Sequence, residues 1–305
     1  MTLKEIEYMV TIATEGTLTR AAEKLFITPS ALTQQLVHLE KEIGMPLFIR
    51  SRSGWTPTEA GEIYLKAARE MLIMKKEAYK QLQDLARIKK GKLSVGFPPD
   101  RAASMFTAIY PAFHKEYPGI TVNVCEVSVR RQQQMIAQSQ LDLGFLTLCD
   151  FQETDDKYIY ITTEELLLAV PSIHPLCARA VPGKGPYPEA ELAWFRHEPF
   201  ARMYPESTVR SFSDMIFQQA GFQPTVLFET SSCHTILQMV HANLCCGMVP
   251  SIYAKGAPEN VTFLSLPSHP TRNLTASYRK GSYLSQPARY LIRLAMECWG
   301  MSPQP

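Results

Sequence analysis

The first 90 residues follow a helical spacing of apolar and polar positions, and turn-forming residues interrupt it at 28–29 and at 44–57. The first predicted helix ends at Gly16, because glycine readily adopts the left-handed conformation of a helix end. Its repeating apolar positions are Leu3, Ile6, Val10 and Ala13. A short second helix follows, and then a third at 31–43 whose apolar face carries Leu32, Leu36, Leu39 and Ile43. Helix, short turn and helix together predict a helix-turn-helix.

The opposite face of the third predicted helix is mostly polar. It carries Ser30, Thr33, Gln34, Val37 and His38. Short hydroxyl and amide side chains can hydrogen-bond base edges or phosphates, so this face favours double-stranded DNA as a partner. A plain three-helix bundle with a solvated polar face would show the same pattern, because periodicity carries no information about DNA.

Residues 58–90 contain no proline and a single glycine, which predicts one helix far longer than the usual 10 to 14 residues. Its heptad positions are Leu65, Ala68, Leu72, Tyr79, Leu82 and Ala86, with Lys75 as a polar interruption. An apolar heptad seam predicts a coiled coil with a second chain. The alternative is that this helix packs on a lobe of its own chain.

From residue 92 onward, short apolar runs alternate with helical stretches, which is typical of βαβ units and a parallel sheet. The runs LSVGF, ITVNVCEV and LDLGFLTL are followed by a second set, LLLAV, TVLFE and CCGMV. We therefore predict two α/β lobes, with a last amphipathic helix near 286–299 that returns to the first lobe. The predicted domains are a winged helix-turn-helix at 1–57, a linker helix at 58–90, a first lobe at 91–162 and 268–300, and a second lobe at 163–267.

Composition permits a large core: 46% of the 305 residues are hydrophobic and 20% are charged. The net charge is only +2, and residues 1–90 hold 14 Lys and Arg against 11 Asp and Glu, so the N-terminal third is mildly basic. Charged residues at the N-terminus argue against a secretory signal, and no run approaches the roughly 18 apolar residues of a membrane span. We therefore expect a cytoplasmic protein without a membrane partner.

Motifs of the common enzyme classes are absent from the sequence, which has no GxSxG, HExxH, P-loop or GxGxxG. We expect no catalytic residue, no metal site and no cofactor, so the chain is not predicted to be an enzyme. Its seven cysteines are an odd number without CxxC spacing, which is typical of reduced thiols. A solute-binding protein would account for residues 92–300 but not for the first 90.

The run GTLTRAAEKLFITPSALTQQLVHLEKEIGMPLFIRS, followed by TPTEAG, resembles the winged helix-turn-helix of LysR-type transcriptional regulators. The resemblance implies a sequence-specific DNA-binding regulator with a wing at 46–57 and a dimerising linker helix. A dimer would present two recognition helices to the half-sites of a dyad-symmetric DNA site. The implied DNA contacts are Thr19, Arg20, Thr28, Pro29, Ser30, Thr33, Gln34, His38, Arg50 and Arg52. Ser53 and Val37 stand where many relatives have a basic residue.

The rest of the chain resembles the same family through GKLSVGF, PAFHKEYPGITVNV, MIAQSQLDLGF and LLLAVPSIHPL. The resemblance implies an effector-binding domain of two α/β lobes, like the periplasmic solute-binding proteins. Because ligands of open α/β sheets bind at strand carboxyl ends, we expect a small-molecule effector between the lobes. Free N–H groups at helix N-termini would suit an anionic one. The expected contacts are Pro99, Asp100, Arg101, Ser128, Arg130, Thr147, Phe200, Arg202, Thr230 and Ser231.

Several of these assignments have alternatives. Arg202 is as compatible with a salt bridge as with ligand contact, and Ser128, Thr230 and Ser231 are compatible with helix caps. The adjacent pair Cys245 and Cys246 suggests a thiol-responsive regulator, although two buried thiols at the start of a core strand are the more typical reading. A small-molecule binding protein that does not bind DNA is a further alternative. Activation and repression, and a dimer and a tetramer, are all compatible with this sequence.

Overall fold

The computed structural model describes residues 2–51, 54–87 and 89–300. The chain divides into two compact units, at 1–88 and 89–305. The first is helical with one small hairpin, and the second is an α/β unit of two lobes. This architecture confirms the predicted combination of a winged helix-turn-helix, a long helix and a two-lobed α/β domain.

The described residues of the first unit form four helices and a two-stranded hairpin. The helices are α1 (Leu3–Glu15), α2 (Leu18–Leu25), α3 (Pro29–Ile43) and α4 (Glu59–Leu85), and the strands are β1 (Phe48–Ser51) and β2 (Gly54–Pro57). A threonine hydroxyl caps each of these four helices. For example, Thr17 accepts a hydrogen bond from the N–H of Arg20 at 3.3 Å, and Thr28 from that of Ala31 at 3.2 Å. Gly16 ends α1 with a φ of 68°, as predicted.

The core of the first unit lies where its helices meet. Ala21 and Ala22 are fully buried, so α2 approaches its neighbours closely. The other buried core residues of α1 and α3 include Ile6, Met9, Ile12, Leu32, Leu36 and Leu39. Two residues of the predicted apolar helix faces lie outside this core, since Leu3 and Ile43 are 45% and 37% exposed. Each occupies the terminal residue of its helix, where the core no longer covers the side chain.

Helix α4 ends earlier than predicted. It stops at Leu85 instead of reaching Lys90, and Arg87 has a left-handed φ of 54°. Lys90 is already the first residue of a strand and pairs in parallel with Gly119. The predicted helix over 58–90 is therefore wrong at its C-terminal end, because strand pairing outweighs the good helical propensity of this lysine-rich segment.

The predicted heptad seam of α4 is only partly available to another chain. Leu65 and Ala68 are 0% and 2% exposed, and Leu65 belongs to the core of the first unit. These two seam positions are therefore corrected, because α4 also packs on α1. A second apolar set, which shares Leu82 with the predicted seam and is also spaced by three or four residues, is exposed along the helix. We call it the exposed seam, and it consists of Ile63, Ala67, Met71, Met74, Ala78, Leu82 and Leu85.

The second unit contains nine strands and five helices within the described residues. The strands are β3 (Lys90–Phe97), β4 (Gly119–Glu126), β5 (Leu143–Leu148), β6 (Lys157–Pro171), β7 (Pro199–Met203), β8 (Thr225–Thr230), β9 (Cys246–Pro250), β10 (Val261–Leu264) and β11 (Thr271–Tyr278). The helices are α5 (Ala102–Glu116), α6 (Val129–Ala137), α7 (Thr208–Gln219), α8 (Cys233–His241) and α9 (Gln286–Trp299). Each apolar run that predicted a strand overlaps one of these strands.

Three parallel strands form the centre of each lobe, in the order β4-β3-β5 in the first and β8-β7-β9 in the second. Strand β11 is antiparallel to β5 and β6, β6 is antiparallel to β9, and β10 is antiparallel to β6. The expectation of parallel sheets is therefore wrong for β6, β10 and β11. The chain passes between the lobes along β6 and again just before β11, whereas β10 pairs with the second-lobe part of β6.

Strand β6 belongs to both lobes. Its residues 157–165 pair with β11, and residues 166–171 pair with β9 and β10. The returning crossover lies beside it, because the N–H of Leu166 donates to the carbonyl oxygen of Pro270 at 2.8 Å. Helix α9 then returns to the first lobe, as predicted, and Leu291 is fully buried in that core.

Candidate DNA-contacting surface and effector cleft

The residues expected to contact DNA lie mainly on the surface of the first unit. Those exposed are Thr19, Arg20, Thr28, Pro29, Ser30, Gln34, His38 and Arg50. Thr33 is half-buried, and Arg52 lies outside the described residues. Thr28 and Ser30 share a hydrogen bond of 3.1 Å, and the Thr33 hydroxyl donates to the carbonyl of Pro29 at 2.8 Å. These hydroxyls stabilise the start of α3 and keep acceptor lone pairs for a further partner.

The hairpin of β1 and β2 is the predicted wing, with Arg50 opposite Trp55. Glu40 of α3 holds the start of the hairpin. Its carboxylate accepts hydrogen bonds from the backbone N–H groups of Leu47 at 2.7 Å and Phe48 at 3.2 Å. A charged acceptor bonded to two backbone donors forms a strong link, so the wing is tied to the recognition helix.

The start of α4 holds the other end of the wing. The Thr58 hydroxyl donates to the Pro46 carbonyl at 2.8 Å and accepts from the Gly61 N–H at 2.9 Å. A Cβ on Gly61 would lie 2.0 Å from the Leu47 carbonyl oxygen, so only glycine fits there. The LEKEIG and TEAG segments of the sequence are thus explained by contacts that position the wing.

A cavity lies between the two lobes, at the carboxyl ends of the parallel strands. Among the predicted effector contacts it is lined by Pro99, Asp100, Arg101, Ser128, Thr147 and Ser231. Thr230 shapes the turn into α8, since its hydroxyl accepts from the N–H of Ser232 at 3.2 Å. Arg130 lines a wider, open concavity that shares Ser207 and Thr208 with the cavity.

Arg202 and Phe200 lie away from this cavity, inside the second lobe, beside Phe217. Arg202 forms an ion pair with Asp214, donates to the Ser213 hydroxyl at 3.3 Å, and lies 5.2 Å from the ring centroid of Phe217. Phe200 is fully buried and packs on the same ring. The structure therefore corrects the assignment of both residues to the cleft. Successive side chains of a strand point to opposite faces, and Arg202 points into the lobe.

Two arginines share one buried glutamate at the cavity. Arg101 Nη1 lies 3.0 Å from both carboxylate oxygens of Glu164, and Arg272 donates to Oε1 from Nε at 2.7 Å and from Nη2 at 2.6 Å. Burial alone would raise the pKa of Glu164, but the charges of Arg272 and Arg101 outweigh it and hold this pKa below its ordinary value. The cluster therefore carries one net positive charge.

Asp100 joins the two lobes beside this cluster. Its Oδ2 accepts a hydrogen bond from the Tyr253 hydroxyl at 2.6 Å and from the N–H of Cys233 at 2.9 Å. Cys233 is the first residue of α8, so the carboxylate of Asp100 occupies the N-terminus of that helix, where negative charge is favoured. It also offsets the positive charge of the arginine cluster, so the charges at this end of the cavity balance.

Two other helices begin at the cavity. Ser128 caps α6 by accepting from the N–H of Arg131 at 3.4 Å, and Ser207 caps α7 by accepting from the N–H of Val209 at 3.2 Å. Thr208, the first residue of α7, donates from its hydroxyl to the carbonyl of Thr147 at 2.8 Å and so forms a second link between the lobes. The first backbone N–H groups of α6 and α7 are donors for a ligand in the cavity.

Sequence reasoning missed Glu164, Thr208, Tyr253 and Arg272 at this site. For Arg272 a signal exists in the sequence, because it is a charged residue within an otherwise uncharged strand. Glu164 gives a weaker signal, since it lies next to Glu165 at the start of the apolar run LLLAV. A charge in such a position requires a partner when it is buried. Thr208 and Tyr253 carry no comparable signal, since only folding brings them next to the first lobe.

The two cysteines that suggested a thiol-responsive regulator, Cys245 and Cys246, are buried. Cys245 and Cys246 are 3% and 2% exposed and form no disulfide. Burial raises the pKa of both thiols, and it raises the pKa of Cys149 to about 11. A thiol with a raised pKa is protonated at neutral pH and is a poor nucleophile, so the geometry favours a packing role for this pair.

Within 2–51, 54–87 and 89–300, no group of three or more His, Cys, Asp and Glu side chains is arranged to hold a metal ion. In the same ranges, no helix is long and apolar enough to cross a membrane.

Family models match both units of the chain. The model of the LysR substrate binding domain matches residues 86–299, and that of the bacterial regulatory helix-turn-helix proteins of the lysR family matches residues 3–62. The chain belongs to the LysR family. It is a DNA-binding transcriptional regulator with an effector-binding domain, as the sequence predicted.

Two relatives from Bacillus subtilis strain 168 show how far the similarity extends. The HTH-type transcriptional regulator YcgK is 28% identical over 310 residues, covering 97% of this chain and 94% of the relative. AlsR is 27% identical over 265 residues, covering 86% and 85%. This LysR regulator is therefore similar to them over most of its length.

Solved structures share its fold. Full-length OxyR from Pseudomonas aeruginosa, a point variant, has a TM-score of 0.70 and 23% identity, covering 98% of this chain and 97% of that one. Full-length CbnR in complex with its target DNA has a TM-score of 0.58 and 20% identity, covering 97% and 99%. The fold of the whole LysR chain is thus found in both proteins.

Proposed function

We propose that this LysR regulator reads DNA through the exposed face of α3 and holds the DNA backbone through its wing. The observation that supports this surface is the division of α3 into two faces. Leu32, Leu36 and Leu39 are buried, whereas Ser30 and Gln34 on the opposite face are exposed. A polar face on a helix that follows a short turn is suited to base edges in the major groove.

A site-selection experiment with the full-length protein tests this surface. Gln34→Ala is expected to relax the preference at one base pair of each half-site by about 1 to 3 kcal/mol. Arg50→Ala should weaken the binding of all DNA sequences alike. It should also lower the number of counterions released on binding, read from the salt dependence of the affinity, by about one. Arg69→Ala, an exposed position of α4, is the charge-matched control. Equal, weak affinity of the wild type for every duplex would contradict the proposal.

We propose that the effector binds in the cavity between the lobes and places a hydrogen-bond acceptor, such as a carboxylate, at the start of α6 and α7. The other positive features of the cavity already have partners. Glu164 neutralises one of the two arginine charges, and Asp100 occupies the N-terminus of α8. The N–H groups behind Ser128 and Ser207 are therefore the donors that favour an anionic effector.

Effector binding is proposed to act on the link between the lobes. Thr208 and Asp100 form hydrogen bonds across the cavity, so a ligand that inserts there changes the contacts of both lobes. A ligand shifts a conformational equilibrium only as far as it binds one state better than the other. We expect this shift to change DNA binding or transcription.

A thermal-shift screen of small metabolites, followed by titration calorimetry, tests the cavity. Ser128→Ala and Ser207→Ala are each expected to weaken an identified effector roughly 5- to 10-fold, because each removes a hydrogen-bonding group worth about 1 kcal/mol. Ser104→Ala, on α5 outside the cavity, is the matched control, and Arg202→Lys should also leave the affinity unchanged. Wild-type affinity in both Ser128→Ala and Ser207→Ala would remove these residues from the site.

We propose that the protein is at least a dimer through the exposed seam of α4, and that a tetramer forms as a pair of such dimers. The support is the run of apolar side chains left exposed on one face of the helix, with Met74 67% and Leu85 81% exposed. An apolar stripe at three- and four-residue spacing is the usual contact surface of a coiled coil.

We infer that the second unit works by binding and not by catalysis, and that the protein acts in the cytoplasm, where bacterial DNA lies. The ionisable groups at the cavity support this inference. Glu164 is held by two arginines, and burial raises the pKa of Cys233 well above its ordinary value. Quantitative recovery of an effector after prolonged incubation with the protein, measured by mass spectrometry, tests it. A protein-dependent product would contradict it.

A further inference from the structure

Two apolar side chains stand out on the DNA-contacting surface of the first unit. Phe26 is 95% exposed and Val37 is 56% exposed. Val37 lies seven residues after Ser30 and three after Gln34, so all three share one face of α3. Phe26 lies in the turn between α2 and α3, two residues before the N-cap Thr28.

Neither side chain contributes appreciably to the core of its own unit. Phe26 ends α2 in a left-handed conformation, with a φ of 55°, which is unfavourable for a bulky residue. Its backbone N–H satisfies the end of the helix by bonding to the carbonyls of Ala22 and Glu23, a task that needs no aromatic side chain. The exposed ring therefore has no structural explanation within the described part of this unit.

The major groove offers one kind of apolar group to such side chains. Thymine carries a C5-methyl group there, whereas the other base edges present hydrogen-bond donors and acceptors. An aromatic ring or a valine can bury this methyl group, and the exposed face of a recognition helix is the part that reaches base edges. A thymine-containing half-site thus supplies the partner that Phe26 and Val37 lack.

We propose that Val37 and Phe26 read thymine methyl groups, so that the preferred half-site contains thymines at fixed positions beneath these two side chains. This inference rests on the proposed DNA-contacting face of α3. It makes Val37 a determinant of sequence preference instead of a contact to the phosphate backbone. Because no charge is involved, loss of either side chain leaves the salt dependence of DNA binding unchanged.

Replacing thymine by deoxyuridine tests the proposal, because it removes one methyl group and keeps every hydrogen-bonding group of the base. The full-length protein is first used to select its preferred duplex, and each thymine is then replaced singly. We expect about a fourfold loss of affinity at the position beneath Val37, the value for one buried methyl group. Val37→Ala should bind the thymine duplex about that much more weakly and should not distinguish thymine from deoxyuridine there. Phe26→Ala should behave likewise at a different thymine.

Matched variants separate this contact from general damage. Val37→Thr keeps the branched shape and one methyl group and is expected to retain part of the discrimination, whereas Val37→Ser should lose it. Met45→Ala, an exposed apolar residue after the end of α3, should change nothing. The salt dependence is measured for each variant in parallel.

The outcomes are distinct. If the wild type selects a sequence but tolerates deoxyuridine at every thymine, or if the variants lose affinity equally on both duplexes, methyl reading is overturned while the DNA-contacting face stands. If no sequence is selected at all, both fail. If Phe26→Ala lowers transcription in a purified system with unchanged DNA affinity, Phe26 contacts a protein and its part of the proposal is wrong.

Discussion

The hydroxyl of Tyr253 donates a 2.6 Å hydrogen bond to Asp100 Oδ2, and through it the second lobe holds the first. The same oxygen accepts from the N–H of Cys233 at 2.9 Å. A carboxylate of the first lobe thus reaches across the cavity between the lobes and occupies a helix N-terminus of the second lobe. Its hydrogen bonds have to be kept, rearranged or broken whenever the lobes move.

Tyr253→Phe should lower the free energy of unfolding of the second unit by about 2 kcal/mol, the usual contribution of a buried hydrogen bond to a charged group. Urea denaturation of the effector-free protein measures this change. Tyr204→Phe is the control, because Tyr204 lines the same cavity without a hydroxyl hydrogen bond in the described residues. If both variants lose the same free energy of unfolding, the hydrogen bond from Tyr253 to Asp100 does not stabilise the protein beyond the loss of a hydroxyl group.

Glu164→Gln should destabilise the protein by roughly 3 kcal/mol or more at pH 7, because it leaves two buried arginines without a charged partner. Since the pKa of Glu164 is lowered in the folded protein, its ionisation stabilises the fold above the ordinary pKa that this group has in the unfolded chain. This stability is lost as the pH falls through the folded pKa.

The difference in unfolding free energy between wild type and Glu164→Gln is therefore expected to be constant near neutral pH and to shrink below about pH 4. Chemical denaturation at a series of pH values measures it. Glu165→Gln, at the next position of β6, is the control and should cost less than about 1 kcal/mol, because its carboxylate is more exposed. If the difference in unfolding free energy did not change with pH, the ionised carboxylate of Glu164 would not be the source of the stabilisation.

The exposed seam and the seam predicted from the sequence give different expectations for assembly. Met74→Asp should dissociate the protein at micromolar concentration, because a charge at a coiled-coil contact is unfavourable. Gln83→Asp, an exposed position off the seam, should not. Sedimentation velocity distinguishes the two. A wild-type monomer, or a Met74→Asp variant that assembles normally, would remove the basis for this interface.

Cys298 should react with iodoacetamide at neutral pH well before Cys245 and Cys246. Cys298 is exposed, whereas burial raises the pKa of the other two thiols and shields them from the reagent. Mass spectrometry of the alkylated protein follows the order, and denaturant should abolish the difference. A disulfide between Cys245 and Cys246 that forms under mild oxidation and alters DNA affinity would instead support the thiol-responsive alternative.

The helices of the first unit were predictable because their signals are local. Thr28 caps α3 and Gly16 ends α1 through bonds to residues three or four positions away, and the apolar face of α3 repeats at helical spacing. The end of α4 was not predictable in the same way. Lys90 belongs to a strand only because Gly119, far along the chain, is there to pair with it.

The apolar seam of α4 also depends on contacts that a local sequence pattern does not reveal. A heptad pattern identifies which residues share a face, and both Leu65 and Met74 lie on an apolar stripe. Periodicity does not show which stripe the rest of the unit covers. Packing on α1 buries Leu65 and leaves Met74 exposed, so the surface available to a second chain was decided by tertiary contacts.

The cavity between the lobes was likewise predictable from the sequence only in part. The amino-acid sequence was sufficient to group Asp100, Arg101 and Ser128, which line this cavity, because strand ends and helix starts are local features. That an effector binds among them stays a prediction. The sequence was not sufficient to choose between Arg202 and Arg272. A side chain in a strand faces the cavity or the lobe interior according to which neighbours surround the strand, and those neighbours come from distant parts of the chain.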